Sequence, residues 1–333
     1  PCRPHVPIPC PVHPTATVAQ AIKVALEEDA GDRGDVTTLA TIPAETQATA
    51  TFLAKADGVL AGLGVADEVV AAVDPSVQVE WRAADGDRVS SGQVLGVLRG
   101  CARSILVAER IMLNFMQRMS GIATATAAMV TALEGLHTRV LETRKTAPGL
   151  RLTDKWAVLI GGGSNHRMGL YDMMMIKDNH IAAAGGIRAA VQRAEEFIKS
   201  EGLEGRMCVE VETSSLAEVD ELVDILRAAA AAAGQKEGSG NEQSGSAARG
   251  THVTRVMLDN MARRDAAKEG GVDVSMLAEA VGRIGGLAES EASGNVTLDS
   301  LRTIAATGVT FVSVGALTHS VMALDISLKI ATQ

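Results

Sequence analysis

Aromatic side chains are scarce in this sequence: two Trp, one Tyr and four Phe in 333 residues. Any core must be filled by Ala, Val, Leu, Ile and Met, and 47% apolar residues are enough to build one. Cysteine is scarce too. Cys2, Cys10, Cys101 and Cys208 are scattered without CxxC spacing, which excludes a zinc ribbon or a disulfide framework and fits a reducing compartment. No apolar run reaches the roughly 18 residues that a membrane-spanning helix needs. Basic residues are outnumbered, 31 against 40 acidic, and the net charge of −9 excludes a general nucleic-acid surface, which needs a cationic face.

Glycine is plentiful, at 33 residues, which suits the tight strand-to-helix turns of an α/β protein. The length predicts two domains, or one large barrel with an appendage. Residues 1–14 are proline-rich without a helical pattern and read as a loose tail; the chain opens at Pro1, as a processed or trimmed protein would. Thr17 is a candidate N-cap for a helix bearing Val18, Ile22, Ala25 and Leu26 at helical spacing. Residues 48–56 alternate as a strand, and "GLGVADEVVAAV" reads as a helix. "VQVEWRAADGDRVSSGQVLGVLRG" reads as two short strands around Gly-containing turns. Part of it is similar to biotinyl and lipoyl hairpins, but no Lys lies between Lys55 and Lys145 to carry the group, so the hairpin is read as structural. A long helix over 102–133, expected to break near Ser120-Gly121, closes an N-terminal α+β domain spanning 15–133.

Over 134–319 the pattern becomes strand–loop–helix. Strands are expected at Arg139–Glu142, Met173–Ile176, Cys208–Val211, Arg255–Leu258, Ala288–Glu291 and Phe311–Val314. The stretches between them are long enough for crossover helices, which argues for a parallel α/β barrel or an open α/β sheet. Residues 228–252 are rich in Ala, then Gly and Ser, and read as a flexible surface insertion. Residues 320–333 are expected to pack back on the N-terminal domain.

The ends of these strands share a charge layout. Strand one ends at Arg144-Lys145; strand two follows His166-Arg167 and ends at Lys177. Strand three ends at Glu212, strand four at Asp259-Asn260, strand five in "ASGN" and strand six in "VGALTHS". In α/β barrels the C-terminal strand ends form one mouth, where active sites sit. Arg forks grip carboxylates with paired hydrogen bonds, and Lys adds a compact charge. Two carboxylates beyond them can hold Mg²⁺ on a phosphorylated compound, and Gly-rich turns expose N–H groups to phosphate. The sum points to an organic acid held beside a metal-bound phosphate compound.

The blocks "AERIMLNFMQRMSGIAT", "ETRKTAPGLR", "KWAVLIGGGSNHRMGL", "IKDNHI", "VEVE", "MLDN", "EASGN" and "SVGALTHS", in this order, resemble the quinolinate phosphoribosyltransferase family, and most closely its plant or green-algal members. The likeness covers nearly the whole chain apart from the tail and the insertion. It implies an N-terminal α+β sandwich joined to an incomplete α/β barrel. It also implies the transfer of a phosphoribosyl group from 5-phosphoribosyl 1-pyrophosphate to quinolinate, with loss of CO₂ and with Mg²⁺. Carried over residue by residue, the resemblance gives Arg144, His166, Arg167 and Lys177 to the two quinolinate carboxylates. Arg110 would join them from the partner subunit of a homodimer, or of a higher oligomer. Lys145 would contact the donor, and Glu212 and Asp259 its ribose and metal. Ser293, Gly294, Asn295 and Gly315 would surround phosphate oxygens, with His319 beside them. The plant-like wording implies a plastid, with the cytoplasm as the alternative. A monocarboxylate-using relative, nicotinate phosphoribosyltransferase, would need fewer cations than Arg110, Arg144, His166, Arg167 and Lys177 supply.

Overall fold

The computed structural model describes residues 8–234 and 250–332. Residues 1–7 of the expected tail and 235–249 of the expected insertion lie outside the described residues. The chain divides into two compact units, one of Pro1–Val130, Lys145–Asn165 and Gly315–Gln333, the other of Thr131–Arg144 and His166–Val314.

The first unit begins with α1 (Val18–Ala30), where Thr17 and Gln20 close a capping box. After α2 (Val36–Thr41), strand β1 (Gln47–Ala54) buries every second residue, Ala48, Ala50, Phe52 and Ala54, as the alternation predicts. Next come β2 (Gly58–Val59), α3 (Leu63–Val73), β3 (Gln78–Trp81), β4 (Arg88–Val89) and β5 (Val94–Cys101). The "VQVEWR…" stretch therefore supplies three strands rather than two. β5 is a central strand, hydrogen-bonded to both β1 and β3.

Helix α4 (Ala102–Ala132) runs unbroken through Ser120-Gly121, against the expected break. Gly121 is tolerated there because a side chain would not fit: a Cβ would lie 2.2 Å from the Met322 carbonyl. Ser120 is buried and hydrogen-bonds both the N–H and the carbonyl of Ala61, so its hydroxyl does not compete for the helix backbone. Met112, Met116, Met119 and Ile122 of this helix are fully buried, which shows how a chain poor in aromatics fills its core.

The second unit starts its sheet with β6 (Arg139–Leu141). The chain then returns to the first unit for α5 (Arg151–Ile160). Back in the second unit follow β7 (Met174–Ile176), α6 (Asp178–Ala184), α7 (Ile187–Ser200), β8 (Val209–Thr213), α8 (Leu216–Gly234) and β9 (Val253–Asp259). A small ribbon, β10 (Arg263–Arg264) with β11 (Val272–Asp273), precedes α9 (Ser275–Ile284), β12 (Glu289–Ser293), α10 (Leu298–Ala305) and β13 (Phe311–Ser313). The six barrel strands pair in the order β6-β13-β12-β9-β8-β7, and all their pairings are parallel. β6 and β7 do not pair, so the barrel is incomplete. Finally α11 (Ala316–His319) and β14 (Ile326–Thr332) rejoin the first unit, where β14 pairs antiparallel with β1. Among the described residues no helix is long and apolar enough to cross a membrane.

Candidate active site

Alternation along the strands decides what the barrel turns inward. In β8, Val209, Val211 and Thr213 take one face while Glu210 and Glu212 take the other. β9 separates Val256 and Leu258 from Arg255, Met257 and Asp259, and β12 separates Ser290 and Ala292 from Glu289, Glu291 and Ser293. The parallel register sets Glu210 and Glu289 on either side of Arg255. The apolar faces meet the covering helices and the polar faces meet one another.

The inner carboxylates are compensated by name. Arg255 lies 3.2 Å from Glu291 and 3.4 Å from Glu289, with its guanidinium 4.1 Å from the Phe311 ring centre. His166 is buried above them. Its Nε2 is 3.0 Å from Glu210 and 3.3 Å from Glu291, and its backbone N–H donates to Glu142 at 2.8 Å. Burial disfavours the imidazolium, but the two carboxylates together outweigh burial and lift His166 to about 9. The Arg167 N–H, 2.6 Å from Nδ1, pulls the other way because it needs a lone pair there. One amide dipole is weaker than two full charges, so the net direction is upward. Burial and then the like charge of Glu291 raise Glu210, while His166, Arg255 and Ser313 overcome burial to hold Glu291 below the usual range.

The mouth of the barrel carries the sequence-predicted groups. Arg144 and Arg167 are both half-buried. Burial first, and then the neighbouring Arg144 charge, push Arg167 below its ordinary value. Glu210 and Asp172 act in the opposite direction, and a bound anion would offset the like charge of the two guanidinium groups further. Lys177, the residue before α6, forms an ion pair with Glu212. Asp259 accepts a hydrogen bond from the Asn260 side chain at 2.6 Å.

The turn after β12 lies against the end of β9: the Asn260 N–H donates to the Ser293 carbonyl at 2.9 Å, and a Cβ on Gly294 would fall 2.2 Å from Asn260 Oδ1. Gly294 has φ 92°, and Asn260 and Asn295 take left-handed φ values of 55° and 57°. A glycine at positive φ in a strand-end loop permits close backbone approach to a ligand.

The remaining predicted residues belong to the first unit. Arg110 is exposed on α4, and Lys145 is exposed just after the strand-one loop. Gly315 fits between two side chains: a Cβ there would meet Lys145 Cδ at 3.1 Å and His319 Cδ2 at 3.2 Å. These three residues form one neighbourhood.

Sequence reasoning missed Glu142, Glu210, Arg255 and Glu291. The signal was present in "VEVET" and "ESEAS", where acids two apart must share a strand face.

Two acidic sets bear on the expected Mg²⁺. The ligand atoms of His166, Glu210 and Glu291 lie within 4.8 Å of one another, a spacing that could hold a divalent ion. Yet all three residues are buried, one donor is a nitrogen, and Glu291 is already shared with Arg255. Mg²⁺ prefers oxygen donors, keeps waters and sits against phosphates. Glu212 and Asp259 are oxygen donors on adjacent strands, neither of them fully buried, and they fit that ion better.

Comparison with known proteins agrees with this architecture. Residues 122–329 match the quinolinate phosphoribosyl transferase C-terminal domain and residues 35–120 its N-terminal domain. The chain belongs to the quinolinate phosphoribosyltransferase family. It is 54% identical to the chloroplastic nicotinate-nucleotide pyrophosphorylase [carboxylating] of Oryza sativa subsp. japonica, over 98% of this chain and 81% of that one. It is 52% identical to the mitochondrial quinolinate phosphoribosyltransferase [decarboxylating] 2b of Nicotiana tabacum, over 97% and 85%. The structure of NadC from Streptococcus pyogenes superposes with a TM-score of 0.80 at 34% identity, covering 98% of this chain and all of that one.

Proposed function

We propose that this chain transfers a phosphoribosyl group from 5-phosphoribosyl 1-pyrophosphate to quinolinate and releases CO₂, giving nicotinate mononucleotide and pyrophosphate. The observation that carries this reading is that Arg144 and Arg167 lie near enough for the charge of one to act on the other, an arrangement that a ligand with two carboxylates would suit. Lys177, ion-paired with Glu212, adds a third cationic group, and His166 lies next to Arg167 in the chain, against Glu210 and Glu291. Arg110 of a partner subunit completes the grip in a homodimer, or in a larger assembly built from it.

The chemistry follows from charge. As pyrophosphate leaves C1 of the ribose, positive charge grows on the sugar. Glu212 and Asp259 favour that cation, and Lys145, with the backbone of Ser293, Gly294, Asn295 and Gly315 and the side chain of His319, takes up charge on the departing phosphates. Glu212 and Asp259 would hold Mg²⁺, which supplies Lewis-acid neutralisation of the pyrophosphate when bound. The pyridine nitrogen attacks in line, so the work of the cationic groups is positioning. Alkylation makes the ring nitrogen cationic, and the adjacent carboxylate can then leave as CO₂; its bonding pair stays on the ring carbon beside the cationic nitrogen, and that carbon takes a proton from water to give the C–H of nicotinate mononucleotide. Arg144 and Arg167 keep that carboxylate ionised until it departs.

The relatives' names carry both "chloroplastic" and "mitochondrial". We favour the plastid, and imaging of a C-terminal fluorescent fusion of the natural protein checks it. The reaction itself is tested by measuring CO₂ release from carboxyl-labelled quinolinate. The expected result is one CO₂ per nicotinate mononucleotide, dependent on the donor and on Mg²⁺. Nicotinate turned over as fast as quinolinate, with no CO₂, would defeat the reading.

A further inference from the structure

Outside the candidate ligand-contacting groups, the first unit contains a buried ion pair. Asp154 on α5 is fully buried, and Arg118 on α4 is partly so. They meet as a fork: Arg118 Nε donates to Asp154 Oδ1 and Nη2 to Oδ2, both at 2.8 Å. Each partner has a further bond. Arg118 Nη2 also donates to the Thr318 carbonyl at 2.9 Å, and Asp154 Oδ2 also accepts the Ala147 N–H at 3.1 Å. Thr318 closes the circuit, its hydroxyl donating to the Lys145 carbonyl at 3.0 Å.

The circuit joins two stretches far apart in sequence. One carries Lys145 and Ala147; the other carries Gly315, Thr318 and His319. Both stretches lead out of paired strands: β6 ends at Leu141 and β13 at Ser313, and the Val314 N–H donates to the Leu141 carbonyl at 2.9 Å, but beyond that point neither stretch is a strand. The short α11 adds only local bonds, such as the His319 N–H to the Gly315 carbonyl at 3.1 Å. Past the end of that ladder, the fork and the Thr318 hydroxyl tie one stretch to the other, and Lys145, Gly315 and His319 lie together there. A buried pair of this kind contributes little net stability compared with an apolar filling. Its geometry is what an apolar pair could not supply: two parallel bonds set the orientation, and the spare donor and acceptor each hold a backbone group.

We propose that Arg118 and Asp154 are positioning residues for the phosphoribosyl donor, setting the spacing of Lys145 and His319 across Gly315 without touching the donor themselves. The inference rests on the proposed transferase reading, and it adds that donor recognition can be weakened separately from recognition of the pyridine acid. A displacement of about 1 Å in a positioning group can cost roughly a hundredfold in rate, so loosening this circuit should register strongly.

The test is steady-state kinetics on the full-length assembled protein, comparing wild type with Arg118→Lys, Asp154→Asn and Thr318→Val. Arg118→Lys keeps the charge and loses the fork; Asp154→Asn keeps the shape and loses the charge; Thr318→Val keeps the ion pair and removes the hydroxyl's bonds to the Lys145 carbonyl, at 3.0 Å, and to the Gly315 carbonyl, at 3.4 Å. The expected result is a KM for 5-phosphoribosyl 1-pyrophosphate raised about tenfold or more in the first two and about threefold in the third, from loss of charge-assisted and neutral hydrogen bonds respectively. The KM for quinolinate should stay within about twofold of wild type, since its cationic grip is untouched. Equal rises in both KM values, or no rise in either, would overturn the proposal. Should the two ion-pair variants fail to fold, Thr318→Val decides, and an unchanged donor KM in it would also overturn the proposal. Wild type inactive with this substrate pair would instead refute the transferase reading.

Discussion

At the scale of single residues the protein keeps its charges in graded pairs. Lys177 pairs with Glu212 at the barrel mouth, Arg255 pairs with Glu291, and His166 lies against Glu210 and Glu291. His166 gives a pH prediction whose sign can be worked out. Its value is 6.5 when unfolded and about 9 when folded, so its stabilisation is complete below about 6.5 and is lost as pH rises to about 9. The Arg167 N–H facing Nδ1 subtracts from it, leaving at most about 3 kcal/mol. Urea unfolding of wild type and His166→Gln at pH 6.5 and 9.5 measures this. The stability gap between the two proteins should narrow at the higher pH; a gap that stays constant would mean that His166 is neutral throughout.

At the scale of elements, the turn after β12 carries the sharpest steric constraint. Gly294→Ala must place a methyl group against Asn260 Oδ1 at a left-handed φ. The expected cost is about 1–3 kcal/mol of stability, together with a weaker grip on the phosphoribosyl donor. Thermal unfolding and the donor KM check it, and a variant matching wild type in both would show that the turn relaxes freely.

Much at this scale was legible in the sequence. The six barrel strands are where apolar runs between crossover helices put them, displaced by one or two residues at their ends. Thr17 caps its helix as read. The break expected in α4 did not occur, because the backbone at Met322–Ala323 packs on Gly121, a contact some 200 residues away that no local pattern reveals. The strand ends drew attention to Arg144, Lys177, Glu212 and Asp259, but the layer beneath them was overlooked. Glu210 and Glu291 looked like ordinary strand residues until the register placed both beside His166. Arg118 and Asp154 were hidden for a similar reason: each sits in an ordinary helix, and only the fold brings them together.

At the scale of the whole molecule, the proposed homodimer makes its own prediction. Arg110 is exposed on α4, as a residue serving a neighbouring subunit should be. Mixing Arg110→Ala chains with Arg144→Ala chains leaves one intact site in each mixed dimer. With statistical exchange, about a quarter of wild-type activity should return. No recovery in dimers shown to have exchanged would mean that each chain supplies its own arginines.

The central claim is that a cationic barrel mouth selects an aromatic ring bearing two carboxylates. The direct measurement is calorimetric binding of pyridine-2,3-dicarboxylate and of nicotinate to the same preparation, repeated with Arg167→Ala. One additional carboxylate held by charge-assisted bonds is worth roughly 1.5–3 kcal/mol, so the diacid should bind about ten- to a hundredfold tighter, and Arg167→Ala should erase most of that preference. Equal affinity for the two acids, or a preference that survives the loss of Arg167, would contradict the account.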